Sequence, residues 1–380
     1  MIITRFFRKR QTMQWIILIF VALIGASEIV SYIIYRSRSF RGLQLFYGQL
    51  LRKKYGRDDI RTFSLRYAEH PFLAMTANPD FKNSLGEKIH NKYGFRHKSD
   101  FSNIHDSGRM MVYCAGGSST YCNFIERNED TWPGVLESEF SKNLEAPIVS
   151  VINGAVSGWT SLQSLIRFSA WVDVLKPALV IIYHGKNDFA PFVNSDTSIP
   201  EIYPDYGNVM FSLQLDSLAR KLPVLSRYTY TGKVLYGLYV NRKYVNVTWA
   251  IYNQSRPTSK DDCIKGLERI GDKEWEFIIS RYRSFKSLCN DRGIPILFVT
   301  QKVVSEIYEP YMNEINSRIK LLEARNDRCY VYDFASEFKD IKGLLYDSVH
   351  FTPDGARIFA EHVRKYIVDN ILISGSCVRT

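Results

Sequence analysis

Met110-Met111-Val112-Tyr113-Cys114 leads straight into Ala115-Gly116-Gly117-Ser118-Ser119-Thr120, an apolar β-rich run that stops on a polar turn carrying two glycines. Pro147-Ile148-Val149-Ser150-Val151-Ile152 runs into Asn153-Gly154 in the same way, and Pro177-Ala178-Leu179-Val180-Ile181-Ile182-Tyr183 into His184-Gly185. Pro295-Ile296-Leu297-Phe298-Val299-Thr300 and Cys329-Tyr330-Val331-Tyr332 are two more apolar runs. A strand with one wet face would alternate apolar and polar residues. These runs are nearly continuous, so both faces must be covered. Amphipathic segments between them supply the cover. The expectation is an α/β fold, a doubly wound parallel sheet inside a three-layer α/β/α sandwich. Ligands on such sheets sit at the carboxyl ends of the strands, where the three glycine turns fall.

The chain closes on a well-punctuated helix. Thr352 can cap it, Pro353 suits its first position, and Asp354 favours its positive end. Ala356, Phe359, Ala360, Val363 and Ile367 then share one apolar face, and the helix presents the loop Asp347–Phe351 just before it. A long Tyr-rich insertion, about 190–262, reads as a cap or rim over the strand ends, with helical promise from Phe211 to Tyr239. Its plainer reading is packing on one edge of the sheet.

Composition excludes several classes. The 380 residues are 46% hydrophobic and 23% charged, which rules out a disordered, collagenous or small disulfide-stapled chain. The net charge of +11 suggests nucleic acid until it is located. Residues 1–60 carry +8 of it and the other 320 residues only +3. A nucleic-acid module needs its positive field on the folded domain, so no nucleic-acid partner is expected.

Trp15 to Tyr35 holds 21 residues with one charge, Glu28, enough for about 30 Å of helix. Arg5, Arg8, Lys9 and Arg10 precede it and Arg36, Arg38 and Arg41 follow, so the basic flanks favour one orientation only slightly. The reading is an uncleaved transmembrane anchor with the basic tail in the cytoplasm. A signal peptide cut near Gly25, Ala26 and Ser27 is one alternative, and a buried core helix, which a basic extreme N-terminus suits badly, is the other. Glu28 is costly in lipid and is the feature the anchor reading must explain. The resulting domains are 1–36 as basic tail and anchor, 37–107 as juxtamembrane lead-in, and 108–372 as the main domain carrying the insertion.

Cys114, Cys122, Cys263, Cys289, Cys329 and Cys377 show no metal-ligand spacing. They are read as buried small hydrophobes or, in an exported domain, as up to three bridges. No metal or organic cofactor is expected. Two glycosylation triplets begin at Asn246 and Asn253.

Four short motifs line up in chain order: Gly116-Gly117-Ser118, Asn153-Gly154 through Ser161, Gly185-Lys186-Asn187-Asp188, and Asp347-Ser348-Val349-His350. Acyl transfer needs these residue types. A hydroxyl is a weak nucleophile until an imidazole takes its proton. The imidazole needs a carboxylate on its other nitrogen, and Asp three residues before His can reach it. The tetrahedral intermediate needs converging donors, which glycine turns and an Asn amide supply.

On these motifs the chain, over about residues 85–370, resembles the SGNH (GDSL-like) hydrolases, whose sheet is flavodoxin-like. The resemblance implies Ser118 as nucleophile, His350 as base and Asp347 as its orienting acid. It implies an oxyanion hole from the Ser118 amide, the Gly154 amide and the Asn187 side chain. Asn91-Lys92-Tyr93-Gly94-Phe95-Arg96 is similar to an Asn-x-x-Gly-Phe-Arg stretch of membrane-anchored bacterial members. Gly117 departs from the family name, which has Asp there, and Lys186 is an unusual residue in its block.

The neighbouring residues admit competing roles. Ser119 is the less favoured nucleophile, and Asp354 suits a helix start better than the triad. His184 and Asp188 read as structural, Lys186 as a solvated or rim charge, and Cys114 with Cys122 as separate thiols. The expected activity is a membrane-anchored serine esterase, with its catalytic domain outside the cytoplasm, acting on an acylated small molecule, lipid or glycan. The rivals are an O-acyltransferase of an envelope glycan and a non-catalytic binding protein on the same fold.

Overall fold

The structure is a computed structural model that describes residues 2–37, 66–70, 72–83, 85–100, 109–142, 149–189, 224–240, 270–338 and 343–372, with 261, 265 and 268. The chain divides into two compact units, Met1–Phe63 with Met210–Ala250, and Ser64–Val209 with Ile251–Thr380.

In the larger unit an antiparallel hairpin, β1 (Tyr67–His70) and β2 (Ala74–Ala77), precedes the main sheet. The five apolar runs become its five strands: β3 (Met110–Gly116), β4 (Val149–Asn153), β5 (Leu179–Tyr183), β6 (Ile296–Val299) and β7 (Cys329–Tyr332). All pair in parallel, in the order β4-β3-β5-β6-β7. Burial on both faces explains the unbroken apolar runs. Met111, Tyr113 and Ala115 enter one core, while Val112 and Cys114 enter the other.

The helices follow from the strand order. A short turn of helix, α2 (Ser118–Tyr121), follows β3, and α3 (Trp132–Ser141) carries the chain to β4 on one side. From β4 the chain steps back past β3, and α4 (Ser161–Leu175), α7 (Asp272–Asn290) and α8 (Glu309–Lys320) lie on the opposite face. Crossovers of one hand require this change of face when the direction of winding reverses. The reversal opens a crevice between the carboxyl ends of β3 and β5, where ligands of doubly wound sheets bind.

A single turn, α9 (Phe334–Glu337), follows β7, and the last long helix described, α10 (Pro353–Ile367), packs beside α3. Its Thr352 hydroxyl accepts the Gly355 amide at 3.1 Å, and Pro353 takes the first turn. Phe359 sits 4.7–5.1 Å, ring to ring, from Trp132, Tyr183, Phe334 and Phe351. Truncating such a residue costs about 3–5 kcal/mol. This packing fixes the loop directly before α10 relative to β5.

The Asn-x-x-Gly-Phe-Arg stretch acts as a clamp. Asn91 Oδ1 accepts the amides of Tyr93 and Phe95 at 3.0 Å each. Gly94 adopts φ +74°, and a side chain there would collide with the Ala77 carbonyl. Buried Arg96 donates to the carbonyls of Tyr121 (2.6 Å), Cys122 (3.0 Å), Ile125 (2.6 Å) and Glu126 (3.1 Å), and to Asn128 Oδ1 (3.0 Å). The segment following the Ser118 turn is therefore held by one guanidinium.

Cys114, Cys122, Cys289 and Cys329 are free and buried, as small hydrophobes are. Burial pushes the Cys122 and Cys329 thiols up to about 11 and Cys289 to about 12, so they stay protonated and unreactive at neutral pH. Cys263, Cys377, Asn246 and Asn253 lie outside the described residues.

In the smaller unit α1 (Ile2–Arg36) is a continuous helix whose segment Met13–Arg36 is long and apolar enough to cross a membrane. Of the Tyr-rich insertion, α5 (Val224–Tyr228) and α6 (Tyr230–Val240) are described; α6 packs with α1, and α5 packs with α6. The rim expected over the strand ends otherwise falls on residues 190–223 and 241–260, outside those described.

Candidate active site

Ser118 heads the single turn α2 directly at the end of β3. The tight start needs glycine. A side chain on Gly116 would run into Thr120, whose hydroxyl donates to the Tyr183 carbonyl at 3.0 Å. Gly117, where the family name has Asp, has a space reason of its own. A Cβ there would lie 2.6 Å from Asn187 Nδ2 and 3.0 Å from the Trp159 carbonyl oxygen.

Three side chains from distant parts of the sequence meet in one line. Ser118 Oγ lies 2.7 Å from His350 Nε2, and His350 Nδ1 lies 2.6 Å from Asp347 Oδ2. Asp347 Oδ1 also accepts the amides of Val349 (2.9 Å) and His350 (3.0 Å). Partial burial works against that carboxylate, but the two amides and the His350 ring outweigh it, and its pKa lies below the ordinary value. Asp347 is therefore ionised throughout the neutral range, as a residue orienting an imidazole must be. The edge of Phe124 packs on His350 at 5.0 Å between centroids, a contact with no sequence signal.

Asn187 Nδ2 donates to the Trp159 carbonyl at 2.9 Å. That fixes the amide beside Gly117 and leaves its second N–H for a ligand. Gly154 is a correction to the expected site. Its only N–H donates to the Cys114 carbonyl at 2.9 Å, extending the ladder between β3 and β4, and a side chain there would strike the Tyr113 ring. It is a packing glycine with no donor to spare. The same motif offers another four residues on. Trp159 N donates to the Val156 carbonyl at 3.2 Å, closing a turn with Gly158 in its third position at φ +82°. The Gly-Trp pairing next to the α4 start was the available signal, because the Trp159 carbonyl is what holds Asn187.

The neighbouring residues take the structural roles expected of them. Ser119 is buried, donates to the Val349 carbonyl (3.0 Å) and accepts from Gln301 Nε2 (3.1 Å). Asp188 is fully buried. Its Oδ1 accepts the Ser161 amide (2.7 Å) and hydroxyl (2.8 Å), and its Oδ2 accepts the Tyr282 hydroxyl (2.6 Å). His184 pairs with the Ser164 hydroxyl at 2.8 Å. Burial pulls its pKa down to about 4 against the pull of Asp188, so it is neutral. Asp354 stays in the first turn of α10.

Lys186 lines the pocket with Ser118 and Asn187. Its amide donates to Gln301 Oε1 (2.8 Å), its Nζ donates to Ser348 Oγ (3.1 Å), and it lies 4.9 Å from the Tyr308 ring centroid. Gln301, which sequence reasoning did not single out, thus ties the Ser118 turn to the Asn187 turn. Among the described residues, no group of His, Cys, Asp and Glu could hold a metal ion.

Comparison with known proteins bears on the family. The solved structures it resembles include a lipolytic protein of the G-D-S-L family from Desulfitobacterium hafniense, at 14% identity over 68% of this chain and 99% of that one, TM-score 0.39. A GDSL-like lipase from Bacteroides thetaiotaomicron matches at 15% identity over 71% and 98%, TM-score 0.38. A lipase/acylhydrolase from Enterococcus faecalis matches at 13% over 68% and 95%, TM-score 0.38. No curated protein gives a significant match. The family model for GDSL-like lipases and acylhydrolases matches residues 114–358. That span begins in the strand before Ser118, ends inside the closing helix and takes in more than half of the sequence; the chain belongs to the GDSL-like lipase/acylhydrolase family.

Proposed function

We propose that the chain is a membrane-anchored serine esterase. The observation that carries this reading is the relay Asp347–His350–Ser118, with both links at 2.6–2.7 Å. Ser118 Oγ attacks the ester carbonyl carbon as His350 Nε2 takes its proton. The oxyanion is held by the Ser118 amide, the free N–H of Asn187 and the Gly158 amide, which replaces Gly154 in this role. His350 then gives the proton to the departing alcohol as the carbon–oxygen bond breaks. Water, deprotonated by His350, releases the acid and restores Ser118.

Hydrolysis is favoured over transfer to a sugar hydroxyl because the relay is open to water. The His350 and Asp347 side chains retain 16% and 45% of their exposure. The pocket beside Ser118 is lined by Ser119, Lys186, Asn187 and Gln301, with Val349 as an apolar side chain. Polar walls of this kind suit a short acyl group. Arg5, Arg8, Lys9 and Arg10, ahead of the apolar segment Met13–Arg36, favour an N-terminus in the cytoplasm and the larger unit outside, but only slightly, because Arg36, Arg38 and Arg41 make the other flank basic too.

The test is turnover of p-nitrophenyl esters of increasing acyl length, with wild type and Ser118→Ala side by side and with an oligosaccharide acceptor present or absent. Acetate and butyrate esters are expected to turn over far faster than palmitate, with free acid as product and no activity in the variant. An unchanged rate in Ser118→Ala would refute the nucleophile, and acylated oligosaccharide as main product would replace hydrolase by transferase.

A further inference from the structure

The apolar helix α1 carries one carboxylate, Glu28, eight residues before its end at Arg36. Such a group must find partners if it lies in lipid. It finds them on the insertion. Glu28 Oε2 accepts the Tyr230 amide at 2.8 Å and Oε1 accepts the Thr231 amide at 3.0 Å. The next two amides of α6 are also met: Gly232 N donates to Thr229 Oγ1 at 3.0 Å, and Lys233 N to the Thr229 carbonyl at 3.1 Å. The first four N–H groups of a helix lack partners within it, and a helix start in water commonly leaves several of them to solvent. Here side chains satisfy the Tyr230, Thr231 and Gly232 amides, and the Lys233 amide makes the first bond of the helix, an arrangement that suits a start in hydrocarbon.

The contact between the two helices has the composition of a membrane interface. Thr231 Oγ1 donates to Ser31 Oγ at 3.2 Å and lies 3.4 Å from Ser27 Oγ. Tyr230 packs on Tyr32 and Tyr35, and Lys233 Nζ lies over the Tyr35 and Tyr230 rings. Ser31 and Thr231 therefore face inward, where Val234 and Tyr236 are also buried. Outward face Leu235, Leu238 and Tyr239 on α6, 46–62% exposed, beside exposed Ile29 and Ile33 on α1. A helix in water shows the opposite arrangement, polar side chains out and apolar ones in. Polar glue inside and apolar residues outside is the arrangement of helices packed within a bilayer.

We infer that α6 (Tyr230–Val240) forms a second membrane-embedded element, held against the anchor by Glu28 and contacting lipid acyl chains through Leu235, Leu238 and Tyr239. This rests on the proposal that α1 is a membrane anchor. The span is then a helix with a re-entrant partner, and Glu28 is the residue that locks them together.

The test is carbene labelling of the full chain reconstituted in phosphatidylethanolamine–phosphatidylglycerol vesicles, with a diazirine probe dissolved in the acyl-chain region and peptide mapping by mass spectrometry. Labelling of residues 15–27 and of 235–239 is expected, each at least tenfold above the exposed residues of α8. In Glu28→Leu, labelling at 235–239 should fall at least fivefold with 15–27 unchanged. Labelling of 15–27 without 235–239 would overturn the inference and leave the anchor standing. Labelling of neither would overturn both, and undiminished labelling in Glu28→Leu would refute the carboxylate as the lock.

Discussion

Replacing Asp347 by Asn keeps the shape of the relay and changes its charge and donor pattern. The Asn carbonyl can still accept the Val349 and His350 amides, as Asp347 Oδ1 does now. Its NH2 then meets His350 Nδ1, where the carboxylate sits at 2.6 Å. The imidazole responds by carrying its proton on Nε2, which points a donor at Ser118 in place of a lone pair. Breaking that hydrogen bond to recover the active tautomer costs about 1.5 kcal/mol. The attraction between imidazolium and carboxylate is also lost. Charges about 4 Å apart gain about 1–4 kcal/mol between water-like and surface dielectrics. With the Asp347 side chain 45% exposed, solvent screening sets the value near the lower half, about 2 kcal/mol. Together these amount to about 3.5 kcal/mol, or a fall in kcat of about 300-fold. The assay is p-nitrophenyl acetate hydrolysis at pH 7–8, with KM expected within twofold because no substrate contact changes. A variant retaining a third of wild-type kcat would refute the relay as drawn.

Three further outcomes are expected. Gly117→Ala should lower kcat at least tenfold, because the new methyl displaces the Asn187 amide that lies 2.6 Å from its position, and loss of one oxyanion donor costs up to about 10²–10³; unchanged ester turnover would free Asn187 of that role. Arg96→Ala strands the carbonyls of Tyr121, Cys122, Ile125 and Glu126, so chemical unfolding of the detergent-solubilised chain should show a loss of at least about 3 kcal/mol, against less than 1 kcal/mol if the clamp were idle. His184 and His90 are held down by burial at about 4 and about 3, from an unfolded value of 6.5. Both bind protons more readily unfolded, so their contribution is whole above pH 6.5 and is lost as pH falls toward 4, by about 1.4 kcal/mol per pH unit for each. His184→Gln should roughly halve that slope, and an unaltered slope would place the acid sensitivity elsewhere.

The sheet was readable because burial on both faces writes itself into composition. Each of the five apolar runs became a strand, and the glycine turns mark the ends where β3 and β5 face the reversal of winding. Asp347 and His350 were readable because one helical punctuation signal, Thr352-Pro353-Asp354, fixes their loop. Gly154 misled for a local reason: a glycine next to a strand end is equally a ladder residue and a donor, and only the Cys114 carbonyl decides between them. Arg96, Gln301 and Phe124 act through tertiary contacts with residues 24 or more positions away, and no spacing rule reports such partners. Glu28 lay in between. Its expense in an apolar helix was plain, but its partners lie about two hundred residues later, in a segment whose aromatic content suggested a rim.

The central claim is that Ser118 is an activated nucleophile. Fluorophosphonate labelling of the full chain, followed by peptide mapping, tests it most directly. A single adduct on Ser118 is expected, abolished in Ser118→Ala and strongly slowed in His350→Ala. A folded wild-type chain that takes up no label, or carries it on Ser119, would contradict the account and move the fold from catalysis to binding.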